Sequence, residues 1–506
     1  MPFNDGQSQL EPLLFQMKSY KNLTKSTIEV MPSSGQTEYA PGRKAIFTLP
    51  YASLISLEDI ALHFNWTPDK VQNTTTDGYP CMRVLPPKDI ASLIEEIDIK
   101  VNGQTVQHLT RYNDIVNLLN YFEEPKSAKV MLQNFDATRS YIKGQDASFI
   151  ELTSEYNYLD KTNNDPRPLP FVINNWYGLL GHRGDETSSN FIDTNMLGEV
   201  TIAFTFATAA TCYRSRAVGE QIFVDGFGAK ASGGGGGGAV AIAAGTHPTS
   251  LAGGSAIQGE LDTAFANSTN TSYVLSDLKL SMVRYNLPQS YSEALASNLS
   301  SGAKYQIAFN HYEIHSQWVN DDNRGTIRWN ENSRDIKGLI AFFTDTNRAN
   351  STIPSNYDSA VESSSYFKYA NPVHLNSQFQ IGSVKMPQNV LNSTDCFLEL
   401  VRAIPGARGN NKEFMKNVSS VNEWLESYFM AYLSLEMTEG MTEVANGGKK
   451  LLSGLSSEQL PISCSYTFNN DPTFKGAAVF NKTLNVMTLS TRVLVIENGQ
   501  SCYVQI

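Results

Sequence analysis

Few residues in this chain are of the types and spacings that do chemistry. In "HYEIH", His311, Glu313 and His315 alternate along what reads as an extended segment, so all three share one face. Two imidazoles and a carboxylate at that spacing could ligate a divalent metal. The preferred reading is an ordinary polar face turned outward, because no further ligand is evident and metal-bound imidazoles need hydrogen-bond partners behind them to fix their orientation. "RGD" at 183–185 has the form of an integrin-type tripeptide, but three residues carry little information by themselves. The glycine run from Gly233 to Gly238 lacks both the G-x-x-x-x-G-K-[ST] pattern and a G-x-G-x-x-G framed by a strand and a helix, which argues against a phosphate cradle. Glu95-Glu96 and Asp321-Asp322 offer neighbouring carboxylates, read here as solvated turns rather than as an acid and its base, and no G-x-S-x-G elbow occurs. No catalytic, cofactor-binding or metal-binding residue is assigned, and the chain is expected not to be an enzyme and to need no cofactor.

Cys81, Cys212, Cys396, Cys464 and Cys502 are scattered, odd in number and never spaced C-x-x-C, so they read as reduced thiols rather than as zinc ligands or a disulfide framework. A formal charge of −11 over 506 residues lacks the basic excess that phosphate contacts demand, so no specific nucleic-acid partner is expected. The N-terminal "MPFNDGQSQLEPLLFQMKSYKN" shows no basic start followed by an apolar run, and "GAVAIAAG" is too short to cross a bilayer. Several N-x-S/T sequons, at Asn65, Asn267, Asn350 and Asn392, are read as by-products of an Asn/Ser/Thr-rich composition.

A chain of this length exceeds what one core usually fills, and short apolar runs between Asn, Ser, Thr and Gly favour two β-rich units. Ile60, Leu62, Phe64 and Trp66 alternate with polar or small residues, as a strand with one buried face requires. Ile97, Ile99 and Val101 repeat the pattern. Asn102-Gly103 then supplies two residues tolerant of positive φ for a type I′ turn, and the chain returns through Thr105 to Leu109. Tyr112, Ile115, Val116, Leu119 and Phe122 follow at helical spacing, with Thr110 as the expected N-cap. Pro168 and Pro170 favour an extended entry into Phe171–Ile173, and Val200, Ile202, Phe204 and Phe206 alternate as another strand.

The composition loosens over residues 225–272, which read as a long exposed loop, and order resumes at "SYVLSDLKLSMVRYNL". Residues 289–301 form a polar connector with helical potential. Strands are expected at Tyr305–Phe309, 335–343, 372–381 and 491–499, with one helix within 411–433 before another strand. The division is an N-terminal arm at 1–30, a first β-unit at 31–288, and a connector with a second β-unit at 289–506. The arm places Leu13, Leu14, Phe15 and Met17 beside Lys18, Lys21 and Lys25.

These residues resemble the double jelly-roll major capsid proteins of double-stranded DNA viruses, the group that includes nucleocytoplasmic large DNA viruses, virophages and polinton-like viruses. The resemblance rests on "IDIKVNGQTVQHL" with its following helix, where Gly103 and Gln104 match a frequent Gly-Gly-Gln and Asn102 departs. It rests also on Pro168, Leu169, Pro170 and Phe171 before the Leu179-Leu180 region, and on "IKGLIAFF" and "RVLVIENGQSCYVQI" in the second half. It implies an all-β chain of two consecutive jelly-roll β-sandwiches with short helices and long loops. It implies a homotrimeric, pseudo-hexagonal capsomer tiling an icosahedral virion, made as a soluble protein inside the host cell. The partners implied are the chain itself, neighbouring capsomers, penton and minor capsid proteins, and an inner membrane. A β-sandwich host-attachment or carbohydrate-binding protein is the alternative, and a glycan-active enzyme would need two facing carboxylates that no spacing suggests.

Overall fold

The computed structural model describes residues 24–51, 53–68, 82–87, 89–122, 168–181, 191–216, 272–286, 293, 297, 301–302, 304–319, 324–345, 348, 366–367, 369, 374–403, 424–425, 428–435, 454–457, 460–468, 482–497 and 501–505. The first half carries, in chain order, β1 (Thr24–Val30), β2 (Glu38–Tyr39), β3 (Lys44–Thr48), β4 (Leu54–Ser56), β5 (Ala61–Pro68), β6 (Met82–Leu85), β7 (Ile94–Val101), β8 (Gln104–Leu109), helix α1 (Tyr112–Phe122), β9 (Leu169–Ile173), β10 (Phe191–Asp193), the one-turn helix α2 (Thr194–Leu197), β11 (Val200–Phe206), β12 (Tyr213–Arg216) and β13 (Tyr273–Asn286). The second half carries β14 (Tyr305–Val319), β15 (Arg324–Asn330), β16 (Ile336–Asp345), β17 (His374–Ile381), β18 (Val384–Leu391), helix α3 (Ser393–Ala403), β19 (Met430–Ser434), β20 (Pro461–Phe468), β21 (Lys482–Glu497) and β22 (Ser501–Gln505).

No sheet among the described residues mixes strands of the two halves. In the first, a seven-stranded sheet with the path β10-β4-β13-β5-β9 faces the four-stranded sheet β3-β11-β7-β8. The alternation read from sequence is what lets these sheets share a core. Leu62, Phe64 and Trp66 of β5 and Val200, Ile202, Phe204 and Phe206 of β11 are buried. Phe47 and Phe204 meet edge to face at 5.9 Å, and Trp176 stacks on Phe204 at 5.2 Å while its indole N–H donates to the Ile60 carbonyl at 2.8 Å.

The second sandwich shows the origin of a jelly roll in its pairing. β14 pairs with β21, β15 with β20, β16 with β19 and β17 with β18, all antiparallel. The chain is thus one long hairpin, nested pair inside pair, then rolled so that the pairs alternate between sheets β14-β21-β16-β19 and β15-β20-β17-β18. Rolling buries the inward residue of every strand, including Ile327, Phe343, Phe379, Cys464 and Leu484. The architecture is two consecutive jelly-roll sandwiches, all-β apart from short helices.

Several expectations are corrected by the coordinates. Residues 24–30, placed with the arm on sequence grounds, form β1 and pair with β13 from Thr24↔Asn286 to Val30↔Leu280. Ile28 and Val30 supply the half-buried face that makes this a wall strand. Thr110 does not cap α1, because Arg111 intervenes at φ +53° and its carbonyl accepts from Asp114 and Ile115. Glu95 and Glu96 lie half-buried within β7 rather than in a turn. The helix expected within 411–433 falls mostly outside the described residues, where only Trp424 and Leu425 are helical. Helix α3, beyond the expected elements, starts at a reciprocal cap: the Asn392 side chain accepts from the Asp395 amide at 2.8 Å, and Asp395 accepts from the Asn392 amide. Leu13–Lys25 up to residue 23, Cys81, RGD at 183–185, the loop at 225–271 and Asp321-Asp322 lie outside the described residues.

Candidate functional site at the junction of the two sandwiches

The β7–β8 hairpin and α1 are compact because they join one sandwich to the other. The turn opens the construction. Asn102 and Gly103 sit at φ +49° and +78°, as a type I′ turn demands. The Asn102 amide donates to the Leu197 carbonyl at 2.8 Å and accepts from the Glu199 amide at 3.0 Å, pinning the turn to the end of α2. Gly198, at φ +78°, must be glycine here, since a Cβ would stand 2.4 Å from Asn102 Oδ1. A glycine at 102 would make the same turn without those two hydrogen bonds.

From that turn β8 carries Gln107 to the boundary. Its Oε1 accepts from the Leu179 amide at 2.7 Å, and its Nε2 donates to the Asn310 carbonyl of β14 at 3.1 Å. One buried amide therefore ties the "GLL" turn of the first sandwich to a strand of the second. Beside it Tyr177 meets Tyr312 edge to face at 6.0 Å, and Lys337 of β16 donates to the Asn310 side chain at 2.8 Å.

The centre of the junction is Asp114, fully buried on α1. Arg348 donates to both its oxygens, at 2.8 Å each, Arg111 Nε donates at 2.8 Å, and the Tyr369 hydroxyl donates at 3.0 Å. Arg111 also donates to Asn485 Oδ1 at 2.7 Å and to the Ser316 hydroxyl, so both strands of the β14–β21 pair are engaged. Asn485 in turn donates to Thr344 of β16 at 2.9 Å. Burial alone would raise the Asp114 carboxyl, but the charges of Arg348 and then Arg111, with their hydrogen bonds, outweigh it and hold the group well below the usual carboxylate range. Tyr369 is pushed up, by burial first and by the Asp114 charge second, so its hydroxyl stays a donor.

The arrangement has the form of a fastening, since Asp114, Arg111 and Arg348 are joined in one hydrogen-bond network across the boundary. Elsewhere, His311 turns out to face the interior of the second sandwich at 3 % exposure, against the outward face expected for it. His315 stacks on Trp329 at 5.4 Å and stands 3.9 Å from Glu313. Among the described residues no three His, Cys, Asp or Glu side chains gather as a metal set. Cys396, Cys464 and Cys502 are buried free thiols, Cys212 is buried as well, and burial pushes Cys396 up to about 12. Among the described residues, no helix is long and apolar enough to cross a membrane.

No protein-family model matches the chain, and no curated protein matches it in sequence. Among solved structures it is similar in fold to a chain of the PBCV-1 virus capsid, with a TM-score of 0.53 and 11 % identity over 97 % of this chain and 98 % of that one. It is similar also to a chain of the Sputnik virophage structure, with a TM-score of 0.51 and 10 % identity over 97 % and 91 %. At such identities the likeness is one of fold, and it spans both sandwiches of each chain.

Proposed function

We propose that this chain is a major capsid protein that forms a homotrimeric, pseudo-hexagonal capsomer in the icosahedral shell of a double-stranded DNA virus. The observation that carries the reading is the alignment of both sandwiches together with virus capsid chains over 97 % of this chain. A single β-sandwich recurs in unrelated functions, whereas two jelly rolls fastened in tandem through one buried junction make a rigid two-lobed tile. Three such tiles around a three-fold axis present six lobes, hence the hexagonal outline. The role is structural, not enzymatic, and the chain belongs to the virion after being made as a soluble protein.

In this reading residues 225–272 lie on the outer surface, and the arm preceding β1 faces the interior, against a neighbouring capsomer, a minor capsid protein or an inner membrane. Penton proteins complete the shell at its vertices.

Multi-angle light scattering of the purified chain, with negative-stain imaging of the same sample, tests this. A trimer with a hexagonal outline is expected. A stable monomer at micromolar concentration that binds immobilised glycans would instead support the host-attachment or carbohydrate-binding alternative.

A further inference from the structure

Inside the second sandwich, on the face of β14 opposite the junction, polar groups gather where a core would be apolar. β14 brings His311 and Glu313 to the β21 residues Ser490 and Thr488, which stand directly opposite them. Glu331, just past the end of β15, places its carboxyl beside the Thr488 and Ser490 hydroxyls. His311, Glu331, Thr488 and Ser490 are all buried. Both Glu331 oxygens, the two hydroxyls and His311 Nδ1 are inaccessible and lack a well-formed hydrogen bond. The nearest full positive charge, Arg492, is held by Glu313 at 3.7 Å and so is not left to neutralise Glu331 alone.

We propose that Glu331 and His311 form a compensating pair in this cluster, both neutral in the folded chain, whose opposite proton linkages offset each other in the stability of the second sandwich across mildly acidic pH. The inference does not depend on the capsid reading.

The chemistry follows from burial. Glu331 is raised from 4.5 to about 7, by burial first, against the pull of the Thr488 hydroxyl and with the Glu313 charge adding to the rise. His311 is lowered from 6.5 to about 3, again by burial first, then by the charges of Arg492 and of His108 from β8. His315, on the same face of β14, is lowered by burial and partly restored by Glu313. As a neutral acid Glu331 has an O–H to donate, and neutral His311 offers one donor and one acceptor, so the hydroxyls can serve both by rotating.

The two linkages have opposite signs. Glu331 binds its proton more tightly when folded, so its contribution is present below pH 4.5 and is lost as pH rises toward about 7. His311 binds its proton less tightly when folded, so its contribution is present above pH 6.5 and is lost as pH falls toward about 3. Between pH 4.5 and 6.5 the folded chain holds the Glu331 proton that the unfolded chain gives up, and refuses the His311 proton that the unfolded chain takes, so the slopes cancel.

The test is urea unfolding of the full chain at fixed protein concentration between pH 4.5 and 6.5. Glu331→Gln and His311→Gln each copy the neutral side chain and should fold. Relative to the unchanged chain, Glu331→Gln should lose folding equilibrium constant on acidification by up to about tenfold per pH unit, and His311→Gln should gain it by as much. The double variant should regain the original slope. Parallel slopes for the unchanged chain and either single variant overturn the proposal. If a variant fails to fold, infrared titration of the chain in a Glu95→Gln background, needed because burial raises Glu95 too, supplies the readout. A protonated carboxyl band persisting near pH 6 and fading above about pH 7 supports the pair, and its absence overturns it.

Discussion

Asp114 and Arg348 lie 234 residues apart in the chain and meet through two hydrogen bonds of 2.8 Å, one to each carboxylate oxygen. The pair joins helix α1 of the first sandwich to the second, and both partners are withdrawn from water. Removing one partner of a buried pair leaves the other as an uncompensated charge. Arg348→Ala should therefore cost about 3–5 kcal/mol, and Asp114→Asn a comparable amount, because Arg111 and Arg348 would then confront each other. A double-mutant cycle by urea unfolding should give a coupling energy above about 1 kcal/mol, and simple additivity would mean that the junction does not depend on this pair.

Acid should reach this fastening late. The folded Asp114 carboxyl lies below its ordinary 3.8, so its contribution is complete above that pH and is lost only as pH falls through the lower folded value. Acid unfolding of the unchanged chain should show a linkage of about one proton below pH 4 that Asp114→Asn lacks. Equal proton uptake in the two proteins would contradict the assignment.

Gln107→Leu should loosen the boundary without unfolding either sandwich. It removes the acceptor of the buried Leu179 amide, at about 1–3 kcal/mol, and the donor to the part-buried Asn310 carbonyl. Hydrogen exchange should accelerate at the Leu179 amide, which serves as the local reporter. Unchanged protection there would show that Gln107 is not what holds the turn.

At the hairpin tip, Asn102→Gly keeps the positive φ but forfeits hydrogen bonds to Leu197 and Glu199, for an expected loss of about 1–2 kcal/mol in thermal unfolding. Gly198→Ala should be worse, since it adds both strain at φ +78° and a collision with the Asn102 amide. A ranking in the reverse order would remove the pinning role given to Asn102.

Much of the fold could be read from the sequence because wall strands expose one face. Leu62, Phe64 and Trp66 alternate for that reason, as do Ile202, Phe204 and Phe206, and Asn102-Gly103 is a turn by its own chemistry. β14 defeated the same logic. Its odd-numbered residues Ile307, Phe309 and His311 fill the second sandwich, while on its other face Tyr312 and Asn310 meet Tyr177, Lys337 and Gln107. A strand covered on both sides gives a polar residue no outward face, so His311 looked exposed and is not. At the junction only the Arg111–Asp114 pair is local, three residues apart, whereas Arg348 and Tyr369 reach Asp114 only through the folded topology. α3 is different: the Asn392–Asp395 cap was there to be read.

The nested pairing of the second sandwich sets an order of events during synthesis. β14 and β21 form the outermost pair, joining Tyr305↔Ile496 at one end and Val319↔Lys482 at the other. A ribosome that has made β14 must therefore deliver every intervening strand before the partner of β14 exists. The first sandwich can close around β13 while this is happening, and the α1 face that will hold Arg348 waits, already shaped, as a template. Its pairing edges and apolar inner faces leave β14 exposed to the cellular milieu longer than any other described strand of the second sandwich, and thus the one there that a chaperone of the producing cell would be expected to shield.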